Sequence, residues 1–165
     1  MAEKKAVRGD EIADDLEPVS MYRMFARLFV EIAREVEEAC GAEGLEAVRR
    51  GVRNFGLGRG RDIARRAKVR GCPNDVDNYL PSYDMDRSDE FAGEVDVSGG
   101  RIAQRITKCV FADQFMKDGM EKYGQIYCDT IDPAIVHGYN EDMECIRDKH
   151  FFKDGNCSFC FTMRD

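Results

Sequence analysis

A chain of 165 residues with 43% hydrophobic and 35% charged positions and only four prolines holds enough apolar material for a core, which excludes a disordered tail and a fibrous protein. Its net charge of −7 argues against a nucleic-acid-binding surface, because phosphate backbones are held by Lys and Arg. No long apolar run is present, Leu28 to Val30 being typical, and acidic residues follow Met1 to Lys5, so neither a membrane span nor a secretory signal is expected and the cytoplasm is the expected compartment.

Residues 1–19, with a weak helical pattern (Ile12, Leu16) that ends at Pro18, read as a flexible leader, and residues 20–165 as one domain. Ser20 is placed to cap a helix in which Met21, Met24, Phe25, Leu28, Phe29, Ile32 and Val36 recur at three- and four-residue spacing, with Gly41 as its stop signal. A second helical pattern begins near Glu43 (Leu45, Val48, Val52, Phe55) and meets glycines 56, 58 and 60, where a kink or a split is expected. Those glycines follow a helical pattern and match no phosphate-binding loop, so close helix packing is the preferred reading. From Arg49 to Arg70, eight Arg and one Lys face a single Asp; this is either a solvated face paired with acidic neighbours, or a site for an anion or an acidic partner.

Gly71 to Ser88 carries turn chemistry and reads as a long loop, expected to lie over or beside a functional pocket. Phe91 to Val97 alternates as a strand, and Gly99-Gly100 turns it into a partner from Arg101 to Phe111. A helix from about Asp113 to His137 is interrupted by Gly119 and Gly124, and strands Met143 to Phe152 and Cys157 to Met163 form a second hairpin. The fold class is therefore α+β, with the N-terminal helices and a later helix packed on one face of an antiparallel sheet of about four strands.

Seven cysteines in a cytoplasmic chain point to thiols or metal ligands rather than bridges. The reactive positions gather late in the chain: Cys109, Cys128 with Asp129 and Asp132, His150 and Cys157. Zinc is the cofactor such a set points to, with Cys128, His150 and Cys157 as candidate ligands, although no cofactor is fixed by the spacing. Cys157 and Cys160 sit on opposite faces of a strand and cannot easily share an ion. Plainer roles compete: Cys157 as a core thiol beside Phe159 and Phe161, and Asp132 as a cap ahead of Pro133. Serine-hydrolase and zincin motifs are absent.

Cys109-Val-Phe, Tyr127-Cys128-Asp129-Thr-Ile-Asp132, Gly138-Tyr139-Asn140 and Asp154-Gly155-Asn156-Cys157-Ser158-Phe159 together resemble, in order and spacing, the signature of the L-2-amino-thiazoline-4-carboxylate hydrolase family. The closing hairpin also resembles, more weakly, that of 4-vinyl reductase-type sensory domains. The first resemblance implies water addition to the amidine-type carbon of a thiazoline-like ring, giving a carbamoyl-cysteine type product. Cys128 or Cys109 would then be nucleophile or ligand, Asp132 the acid–base group and His150 its partner, with Cys157 completing the site. Arg105 would clamp the substrate carboxylate, helped by Asp129, Tyr139 and Asn140. The alternative is a non-catalytic module that binds a small ligand or zinc. Either way the expected partner is a small molecule and neither nucleic acid nor membrane, and a homo-oligomer is compatible with both.

Overall fold

The protein is described by a computed structural model that covers residues 18–86 and 88–164; most of the leader expected over 1–19 lies outside these residues. The first helix, α1 (Met21–Val69), starts where the Ser20 side chain accepts the Arg23 N–H at 3.3 Å. It runs on through the glycine segment instead of splitting there, and its one non-helical residue is Gly41 (φ 62, ψ −145). The reason lies in packing. Gly56 and Gly60 face α4 (Glu121–Tyr139) so closely that a Cβ on Gly56 would lie 2.6 Å from the Ala134 Cβ, and Gly138 returns the approach against the Leu57 backbone. The glycines thus let two helices touch backbone to backbone and impose no bend, which leaves the turning to Gly41, with its positive φ.

After α1 come a single turn α2 (Val76–Tyr79), a 3₁₀ turn (Leu80–Ser82), and strands β1 (Phe91–Ser98) and β2 (Arg101–Cys109). The β2 strand stops at Cys109, two residues short of the expected end, because Val110 already opens α3 (Val110–Lys117). The helix expected over 113–137 is two: Gly119 (φ 66) ends the first, while Gly124 stays helical under the Phe115 ring. Strand β3 (Met143–Lys149) likewise ends early, since His150 caps the one-turn α5 (Phe151–Asp154) by accepting the Phe152 N–H at 3.2 Å on Nδ1. Strand β4 (Cys157–Met163) completes an antiparallel sheet of order β1-β2-β4-β3.

Ile63, Ile102, Ile135 and Tyr139, each at most 2% exposed, tie α1, β2 and α4 into one core. Each such aliphatic side chain contributes roughly 1.5–3 kcal/mol relative to exposure. Among the described residues no helix packs on the other face of the sheet, and Ile146 there is 46% exposed. The fold is thus α+β with α1, α3 and α4 on one face of a four-stranded antiparallel sheet.

Candidate active site

Between the covered face of the sheet and the helices lies a cavity of about 520 Å³. Its floor follows one rung of the sheet: Val95 pairs with Gln104, Gln104 with Phe159, and Phe159 with Arg147, so one inward-facing residue comes from each of the four strands. Its roof is α4, where Cys128 and Asp132 are four residues apart and therefore share a face. Its wall is the 76–88 segment, which supplies Tyr79, Leu80, Tyr83 and Met85.

Asp132 lies deep in the protein and its remaining exposure opens onto the cavity. Burial pushes its carboxyl up to about 6, partly countered by the Arg147 and Arg59 charges, and no hydrogen-bond donor contributes. A carboxyl in that state gains and loses protons near neutral pH, as an acid–base catalyst must. The three cavity cysteines behave differently. Burial raises Cys109 to about 11 against the pull of the Ala112 and Phe111 backbone. Burial also raises Cys128, reinforced by Cys109, Asp132 and Cys157, and Arg147 is its one counterweight. Cys157 moves in the same direction, again through burial first. All three sulfurs are therefore thiols at neutral pH, not thiolates.

Among the described residues, two guanidinium groups border the cavity. Arg59 is held by Asp84 through two hydrogen bonds, 2.9 Å from Nε and 2.6 Å from Nη2, and stands over the Tyr83 ring at 5.5 Å. Both partners are only 14% and 16% exposed, so this pair fastens the 83–88 segment to α1. Arg147 donates to the Cys128 carbonyl at 2.8 Å and pairs with Asp129.

Cys109, Cys128, Asp132 and Cys157 thus surround one space, and His150 does not join them. Expected on a strand beside Asp132, His150 instead caps α5 behind Arg147, where its Nε2 is buried without a hydrogen bond and stands 3.5 Å from Asp129 Oδ1. Burial first, then Arg147, lowers its pKa, so the ring is neutral. Asp129 and His150 border a shallow surface hollow, not the cavity. Arg105 is exposed on the opposite face of the sheet, because Gln104 and Ile106 on either side of it point inward. Tyr139 and Asn140 lie outside the cavity too: the Tyr139 hydroxyl donates to the Asp75 carbonyl at 3.0 Å and the Asn140 amide to that of Asn74 at 2.6 Å, which anchors the start of the 76–88 wall. Among the described residues no three His, Cys, Asp or Glu side chains converge as a metal site would require, so the set Cys128, His150 and Cys157 does not fit zinc.

Arg59, Arg147 and Tyr83 were not among the residues the sequence reading put in the site. Two of them left a signal. Arg59 falls three residues after Gly56 and four before Ile63, on the buried stripe of α1, and Arg147 falls two residues after Cys145 and four after Met143, on the inward face of β3. A charge on a core-facing stripe has to be paired or functional.

The sheet and helices thus gather Asp132, three thiols and the Arg59 and Arg147 guanidinium groups around one cavity. The chain belongs to the L-2-amino-thiazoline-4-carboxylic acid hydrolase family, whose pattern matches residues 21–161, and the family name describes a small hydrolase. No match was found among curated proteins or among solved structures.

Proposed function

We propose that this protein opens a thiazoline-like cyclic amidine by adding water to the amidine carbon, with Asp132 as the acid–base group. The observation that carries the reading is a carboxyl that burial pushes up to about 6 and that faces the cavity. Ionised, Asp132 takes a proton from a water molecule as its oxygen bonds to the amidine carbon and the C=N electron pair moves onto the ring nitrogen; the carbon–sulfur bond then breaks as the carbonyl forms, Asp132 returns its proton to the departing sulfur, and the hydroxyl proton passes to the ring nitrogen. Arg147 holds the ring carboxylate with donors that Cys128 and Asp129 leave free, since a guanidinium carries five N–H groups. Neutral Cys128 lies one helical turn from Asp132 and bounds the reacting carbon. It is a weak nucleophile in that state, so the reading puts water rather than sulfur in the attacking position.

The test is turnover of 2-amino-thiazoline-4-carboxylate against pH. Wild-type activity should rise through about pH 6 as Asp132 ionises, and Asp132→Asn should lose roughly 10²–10⁴-fold together with that limb. Arg147→Lys should raise KM with little change in kcat, as loss of uniform carboxylate binding requires. Tight binding of the compound by the wild type without any ring opening would overturn the hydrolase reading in favour of a ligand-binding module.

A further inference from the structure

The cavity is longer than the ring for which the family is named. Its floor rung runs from Arg147 on β3 through Phe159 and Gln104 to Val95 on β1, and three strand spacings make that about 14 Å. From carboxylate to exocyclic nitrogen, an amino-thiazoline carboxylate spans roughly half that distance. It would also fill on the order of a quarter of a 520 Å³ cavity.

The two ends differ in chemistry. At the β3 end Arg147, Asp132 and Cys128 lie within electrostatic reach of one another. At the β1 end the cavity is bounded by Phe91, Gly93, Val95, Ile106 and Phe111, with Gln104, Asp86 and Ser88 as the polar exceptions among the described residues. Phe91 and Phe111 meet edge to face at 5.6 Å, so this end is walled by aromatic surface that water solvates poorly. Val95 stays 49% exposed on the inward face of an edge strand, and Val97 is equally exposed further along that face. Apolar surface thus continues from the interior to the mouth.

We infer that the physiological substrate is a cyclic amidine carboxylate bearing an apolar, aromatic or branched, substituent on the amidine nitrogen, which occupies the Phe91–Val95–Phe111 end while the ring sits at the Arg147–Asp132 end. The direction follows from the ring itself. Its carboxylate and exocyclic nitrogen lie at opposite ends, so anchoring the carboxylate at Arg147 and the amidine carbon at Asp132 sends the nitrogen substituent across the sheet toward β1. This inference rests on the hydrolase reading for the placement of the ring and extends it to the substrate's second half.

The experiment compares 2-amino-thiazoline-4-carboxylate with its 2-(benzylamino) derivative on the full-length protein, by calorimetric titration for affinity and by product analysis for ring opening. The benzyl compound should bind at least about tenfold more tightly, and Val95→Glu, on an exposed edge-strand position that tolerates charge, should close most of that gap. Equal or weaker binding of the benzyl compound overturns the inference, and so does a gap that Val95→Glu leaves intact. If the unsubstituted ring is opened and preferred, the hydrolase reading stands and the inference falls. If the benzyl compound binds more tightly, Val95→Glu closes the gap, and neither compound is opened, the ligand class stands and the hydrolase reading falls.

Discussion

Replacing Asp132 by Asn should make the protein less active and, at alkaline pH, more stable. Folding raises this carboxyl from 3.8 to about 6 through burial, so the folded state binds its proton more tightly than the unfolded chain does. The sign follows directly: below 3.8 the group is protonated in both states and costs nothing; between 3.8 and about 6 the unfolded chain releases the proton that the folded state keeps, so stability falls, and above about 6 the cost is complete. A shift of about two units at 1.36 kcal/mol each makes that cost about 3 kcal/mol, an upper value because the carboxyl faces a cavity that water can enter. Asparagine removes the charge at nearly the same volume. Urea unfolding of both proteins at about pH 8 and about pH 4 is the assay, and the quantity of interest is the difference between the two stability changes, in which any pH-independent cost of the amide cancels. That difference should approach 3 kcal/mol in favour of the variant at the higher pH, or a relative gain of several degrees in melting temperature at roughly 2–4 °C per kcal/mol. Equal stability changes at both pH values would show that Asp132 is not held in an unfavourable ionised state, and the acid–base assignment would lose its basis.

Cys128→Ala should keep turnover within about tenfold of wild type, because a protonated thiol is not the attacking group, and complete loss in a folded variant would restore a covalent route through sulfur. Cys160→Ala, opposite Ala103 and Ile146 on the uncovered face, should leave activity unchanged by the same assay. Gly60→Ala should cost about 1–3 kcal/mol in denaturant unfolding because its methyl group collides with the α4 backbone, whereas Gly51→Ala, with open space around it, should gain up to about 1 kcal/mol from helix propensity. Asp84→Asn should destabilise by about 3–5 kcal/mol and speed proteolysis of the 83–88 segment, because it leaves the mostly buried Arg59 charge without its carboxylate.

Much of the fold is legible in local pattern. The two hairpins follow from alternation and glycine turns, and helix α1 begins at the residue whose side chain can cap it. The break at Gly41 is legible as a stop signal, but that Gly56 and Gly60 impose none is not, because only the neighbouring α4 backbone distinguishes a hinge from a contact. The site is legible where spacing alone decides: Cys128 and Asp132 share a helical face, and alternation that turns Gln104 and Ile106 inward also turns Arg105 away. The place of His150 is not legible, because strand alternation carried past Lys149 predicts a strand residue where the chain turns. The Asp154 carboxylate that accepts the His150 N–H at 2.8 Å, and the left-handed Gly155 that follows, convert that stretch into a helical turn. Arg59 and Arg147 are legible only as charges on buried stripes, a signal that competes with the commoner exposed fate of such residues.

The cavity wall draws on α1, the 76–88 segment, all four strands and α4, so a molecule resting in it touches residues from Arg59 to Phe161. A guest therefore acts as a mobile piece of the hydrophobic core, and its concentration becomes a variable of folding: at a hundred times its dissociation constant it adds about 2.7 kcal/mol to the native state. That is comparable to the deepest buried side chain. In a cell where unfolded chains are continually degraded, a supply of ligand would raise the amount of this protein as well as occupy it.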